Sequence, residues 1–112
     1  MKVLAGAGRF TAAGQDTTHW TEHLRAADLS VGSYSIPRGG TDDQEPHTED
    51  EIYVVTAGHA VLRAGGESAP VGPGSVIYVP AGEEHRFADI TQDLAAIVVF
   101  APAEGSRPAT SA

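Results

Sequence analysis

The chain has 112 residues, 41% of them apolar, with 13 glycines and 7 prolines, enough for one domain around one core and too few for a second. Its 15 acidic residues against 7 basic ones give a formal charge of −8, a field that opposes nucleic-acid phosphates and anionic membrane surfaces as partners. Cysteine is absent, which removes disulfides, thiolate metal sites and cysteine nucleophiles and leaves His, Asp and Glu as ligands.

The N-terminal stretch Met1 to Arg9 lacks the apolar run of a secretory signal, and nowhere do enough apolar residues follow one another to span a bilayer. Cytoplasmic residence is the expectation. Trp20 to Ala27 is poor in Gly and Pro and competes between helix and strand; strand is the preferred assignment. Leu29 to Ile36 alternates imperfectly with period two and stops at Pro37, which marks a strand. Residues 37–50, PRGGTDDQEPHTED, concentrate Gly, Pro and short polar side chains and predict a loop. It leads into Ile52-Tyr53-Val54-Val55, an apolar strand expected to be buried on both faces.

Ala57-Gly58 and Gly65-Gly66 turn the chain on either side of a strand at His59 to Arg63. A further strand, Ser75 to Val79, lies between Gly72-Pro73-Gly74 and Pro80-Ala81-Gly82. The last apolar stretch, Leu94 to Phe100, ends at Pro102, so the domain is taken as residues 1–103 and residues 104–112 as a disordered tail. Short strands separated by turn signals point to an all-β sandwich or barrel.

Glu45, His47 and Glu51 share one sequence parity, so in a largely extended stretch their side chains converge on one face. Imidazole and carboxylate together make a metal site, and His85, beyond a later turn, completes a set of N and O donors. That set suits one divalent ion, Fe, Mn, Zn, Ni or Cu. Glu49 has the right parity but reads as a solvated loop charge, and Gln44 has the wrong parity. His19 and His23 have the spacing of a helical zinc pair without a third ligand nearby, and His59 follows a turn glycine; all three read as surface histidines.

These residues fall into two longer patterns. Gly39, five residues, Glu45-Pro46-His47, three residues, Glu51, six residues and Gly58 resemble the first motif of the cupin family, which has H-x-H where this chain has Glu45-Pro46-His47. Gly74, five residues, Pro80-Ala81-Gly82, two residues, His85, three residues and Asp89 resemble the second, which usually ends in Asn. The resemblance spans residues 39 to 89. It implies a double-stranded β-helix (jelly-roll) barrel, often dimeric, with a metal inside, and by position the ligands Glu45, His47, Glu51 and His85. Glu45 in place of histidine sets a second carboxylate beside Glu51, so it is read as ligand, as general base or as a solvent-facing loop residue. Asp89 reads as an acceptor that fixes the turn after His85.

Tyr53 and Phe87 follow Glu51 and His85 by two positions and should line the interior beside the metal, with the Tyr53 hydroxyl able to donate to a metal-bound ligand. The expected function is metal-dependent dioxygenation of a small enolic, catecholic or diketone-like substrate. Lewis-acid isomerisation or cyclisation, and a ligand-binding module without turnover, are the alternatives, because cupins include all three.

Overall fold

The computed structural model describes residues 1–12, 14 and 17–106. Eight strands form, β1 (His19–Arg25), β2 (Ser30–Ile36), β3 (Asp50–Ala57), β4 (Ala60–Ala64), β5 (Glu67–Val71), β6 (Val76–Val79), β7 (His85–Ala88) and β8 (Leu94–Ala101). The described residues contain no helix, and none long and apolar enough to cross a membrane. Trp20 to Arg25 is thus strand, as preferred from sequence.

The strands make two antiparallel sheets, a five-stranded one in the order β1-β2-β8-β3-β6 and a three-stranded one in the order β5-β4-β7. Side chains alternate across each strand, so pairing register decides which residues meet inside. Tyr53 pairs with Val98 and Glu51 with Phe100 across β3 and β8, while Leu62 pairs with Phe87 across β4 and β7. These positions, with Ile36, Val55 and Leu94, are buried and form the core between the sheets. Tyr53 and Phe87 touch edge to face at 4.9 Å, a favoured aromatic geometry.

Three sequence expectations change here. β3 is not buried on both faces: Glu51, Tyr53 and Val55 point inward, whereas Ile52 and Val54 are only half-buried on the outer face. β5 and β7 were not expected as strands. β5 carries Pro70 and is exposed at four of its five positions, and β7 has only four residues, so neither shows a periodic signal long enough to read. Residues 107–112 of the expected tail lie outside the described residues, whereas Glu104 is tied to the barrel, its N–H donating to Ser30 Oγ at 2.9 Å.

Two glycines matter to the architecture. Gly58 has φ of 84° in the turn between β3 and β4, and a Cβ there would meet the Asp93 carbonyl oxygen at 2.2 Å. Gly32 on β2 leaves room for the Trp20 ring, which a Cβ would approach to 2.2 Å. Trp20 can therefore reach across β2 at Gly32 and meet Phe100 edge to face at 6.0 Å.

Candidate functional site

A cavity of about 150 Å³ opens into the barrel, walled by Trp20, Tyr34, Tyr53, Val98 and Phe100 and edged by Gln44, His47, Glu51 and Glu104. β3 delivers Glu51 and Tyr53 to its lining and the loop before β3 delivers Gln44 and His47, while β7 sets the buried His85 behind them, against Glu51 and Tyr53. The parity of β3 and the alternation of β7 account for the inward aim of Glu51 and His85, which are 2% and 4% exposed.

The expected ligands are not all brought together. Glu51 Oε1 lies 3.0 Å from His85 Nε2. The His47 ring faces the same cavity, 6.4 Å from the His85 ring between centroids, and packs edge to face on Phe100 at 4.6 Å. Its Nδ1 is 3.7 Å from Glu104 Oε2. Glu45 is exposed on the loop and does not line the cavity. The loop has no regular strand geometry over residues 41–47, so parity does not carry from β3 back to position 45, and Gln44 turns inward instead. Among the described residues, no three His, Asp or Glu side chains stand close enough to enclose an ion as they are.

Two acidic residues behave otherwise than their sequence setting suggests. Glu49, expected to be a solvated charge, is 2% exposed and accepts from the Thr48 hydroxyl. Asp42, singled out by nothing in the sequence, is 1% exposed. It accepts from the Tyr34 hydroxyl at 2.8 Å, from the Phe87 N–H at 2.9 Å, and from the backbone and side-chain N–H groups of Gln44 at 3.3 and 2.9 Å. Burial, with Asp42 alongside, pushes the Tyr34 hydroxyl far above the ordinary tyrosine range.

Hydrogen-bond polarity then runs in one direction. Gln44 Nε2 is committed to Asp42, so Gln44 Oε1 accepts the Tyr53 hydroxyl at 3.0 Å. Tyr53, expected to donate into the site, has an acceptor on either side, Gln44 Oε1 outside it and His85 Nε2 within it. The Tyr53 oxygen lies 2.9 Å from His85 Nε2, while His85 Nδ1 donates to the Glu83 carbonyl at 2.9 Å. A singly protonated His85 therefore offers Nε2 as an acceptor, with the Tyr53 hydroxyl and Glu51 Oε1 both within reach. Glu51 Oε1, close but not aligned as a hydrogen bond, is a buried oxygen with no hydrogen-bond partner.

The arrangement gathers oxygen and nitrogen acceptors and leaves Glu51 Oε1 open, a place that a second proton on His85 or a cation would suit. Burial acts to lower the His85 pKa, but Glu51, the Glu83 carbonyl and Asp42 outweigh it and the net shift is upward. Burial, with Glu51 and Asp42 nearby, raises the Tyr53 hydroxyl well above its usual value. Glu51 and His85 stand 3.0 Å apart, the spacing of an ion pair and one from which both would be able to reach a single ion. The donor set is chemically suited to a divalent metal.

The Cupin domain family model matches residues 32–101. The chain belongs to the cupin family. A relative 46% identical over 85 residues, 76% of this chain and 81% of its own length, is an uncharacterised protein of Streptomyces coelicolor. The barrel resembles KdgF from a Halomonas species, with a TM-score of 0.71 at 20% identity over 83% of this chain and 84% of that one. It also resembles the DMSP lyase DddQ of Ruegeria pomeroyi, with a TM-score of 0.72 at 20% identity over 98% of this chain and 57% of that one. A cupin superfamily protein of Desulfitobacterium hafniense gives 0.71 at 18% identity over 81% and 83% of the two chains. At these identities the likeness establishes the cupin double-stranded β-helix and nothing of activity. Cupins commonly bind a metal and act on small molecules.

The remaining singled-out residues are peripheral to this cupin's cavity. His19 and His23 lie on β1 and contact Thr21 and Ser33 respectively, at 2.9 and 2.6 Å. His59 is exposed and meets Gln92. Asp89 adopts φ of 49° and its exposed carboxylate takes Arg63 at 3.2 Å, so the turn is held by backbone conformation and an outward ion pair.

Proposed function

We propose that this cupin holds one divalent metal ion through His47, Glu51 and His85 and uses it to act on a small molecule seated in the barrel cavity. The observation that carries the reading is the partnerless Glu51 oxygen facing His85 Nε2 in a buried site, an arrangement that a cation relieves. Glu45 is left out of the set because its side chain is exposed on the loop. A bound ion would supply Lewis acidity and, for iron, manganese, nickel or copper, access to oxygen chemistry.

The chain's own residues set the size and polarity of the substrate. A cavity of about 150 Å³ holds roughly a benzene-sized molecule, which suits a small enol, catechol or diketone. Trp20, Tyr34, Val98 and Phe100 give it apolar walls, while Gln44 and Glu104 offer polar groups at its edge. Dioxygenation of such a substrate is the proposed reaction. Metal-assisted isomerisation or cyclisation is the second reading, favoured by Glu104, a carboxylate on the cavity wall whose pKa is raised chiefly by burial, against the lowering influence of His47. A homodimer and a cytoplasmic setting remain part of the proposal; sedimentation equilibrium tests the first.

The experiment is elemental analysis of the protein from a host grown without added metal, followed by oxygen uptake with catechols and enols after loading with iron. Near one redox-active ion per chain with substrate-dependent oxygen uptake supports dioxygenation. Anaerobic turnover supports the second reading, and tight ligand binding unaffected by chelation overturns both in favour of a binding module.

A further inference from the structure

Resting on the metal reading above, we infer that Asp42 and Gln44 form a positioning pair that draws the Tyr53 hydroxyl proton away from the site, keeping Glu51 Oε1 and His85 Nε2 uncapped for a cation. The question the pair answers is why a buried carboxylate oxygen has no partner when a phenol stands beside it. Tyr53 is within hydrogen-bond distance of His85 Nε2, and the open Glu51 oxygen lies 3.0 Å from that same nitrogen. Left alone, its proton would turn inward and satisfy one of them.

Gln44 prevents this by a fixed polarity. A glutamine amide can present either end, but Asp42 accepts only, and two backbone N–H groups and the Tyr34 hydroxyl also converge on it. Gln44 must offer Asp42 its N–H, so its oxygen faces Tyr53. Asp42 is rigidly placed because one of its donors is the backbone of β7, the strand that carries His85. The pair therefore ties the position of one proposed ligand to the proton direction of the phenol beside it. Neither residue contacts the proposed ion, and both act through Tyr53.

Two measurements test this. Neutron diffraction from metal-free, deuterium-exchanged wild-type crystals locates the Tyr53 deuteron. The expectation is that it lies on the line to Gln44 Oε1, and a deuteron pointing to His85 or Glu51 overturns the inference. Separately, zinc(II) affinity is measured by titration calorimetry for wild type, Gln44→Leu and Gln44→Leu/Tyr53→Phe. Gln44→Leu should weaken binding about tenfold or more, because the freed hydroxyl caps a ligand. Removing that hydroxyl in the double variant should restore affinity to within about threefold of wild type. Failure of the double variant to recover shows that Gln44 matters only for packing and overturns the inference. If wild type binds no zinc(II), iron(II) or manganese(II), the metal reading fails, and the neutron map still decides the direction of the Tyr53 proton.

Discussion

Glu51 Oε1 stands 3.0 Å from His85 Nε2 on opposite sheets of the barrel, and that carboxylate oxygen has no hydrogen bond. A carboxylate and an imidazole buried to within a few per cent of complete exclusion from water cost several kcal/mol each unless charge is balanced locally. Under the proposed function, balance would come from a proton in one state of the protein and from an ion in another, the two competing for the same nitrogen. Several measurable behaviours follow from that competition.

Metal should stabilise the fold through these residues. At a free zinc(II) concentration 100-fold above Kd, binding to the folded state contributes about 2.7 kcal/mol, which raises Tm by on the order of 10 °C for a domain of this size. Differential scanning calorimetry with and without chelator should show that rise in wild type and little of it in His85→Ala or Glu51→Ala. Glu45→Ala, exposed on the loop, should keep it. An equal rise in His85→Ala sinks the ligand set.

In chelator, the contact between His85 and Glu51 should make stability depend on pH with a definite sign. The folded pKa of His85 is raised above its unfolded value, so the folded state binds the proton more tightly. That contribution is complete below about pH 6.5, the unfolded pKa, and is lost as pH rises through the higher folded value. Urea denaturation of wild type and His85→Gln should therefore show a stability gap that narrows from pH 6 to pH 9. A gap that widens contradicts the assignment.

Asp42 should matter far more than its neighbour. Asp42→Ala leaves the Tyr34 hydroxyl, the Phe87 N–H and the Gln44 side chain without their acceptor, at a cost of about 3–5 kcal/mol. Asp43→Ala, at an exposed carboxylate, should change stability by no more than about 0.5 kcal/mol. Chemical denaturation of both variants checks the contrast.

Gly32→Ala should displace Trp20, because the new methyl would stand 2.2 Å from the ring. The expected cost is about 1–3 kcal/mol, as for overpacking elsewhere, measured by urea denaturation. The Thr21 carbonyl oxygen also stands 2.6 Å from the new methyl, so an unchanged midpoint would mean that neither the ring nor β1 lies so close to β2 in solution.

Much of the site was legible because two strands keep their alternation. Glu51 and Tyr53 on β3, and His85 and Phe87 on β7, lie two residues apart, so each pair shares a face whatever the loops do. The loop from Pro37 to Glu49 was not legible, because without a strand ladder there is no period to extrapolate. Asp42 and Asp43 are adjacent and chemically identical, yet one is buried and the other exposed. Only the packing of that loop across β2 and β7 distinguishes them. Gln44 was discounted on parity for the same reason, and Glu104 was assigned to a tail although it closes on His47.

Trp20 is the only tryptophan in the chain, and it lies on the wall of the cavity against Phe100. Its emission is thus an intrinsic optical reporter at the position where a substrate would settle. An open-shell ion such as manganese(II) or copper(II) held nearby should quench that emission, whereas filled-shell zinc(II) should not, so a fluorimeter can separate ion identity from mere occupancy without any label. The same signal lets unlabelled compound libraries be screened against the barrel before any turnover assay exists.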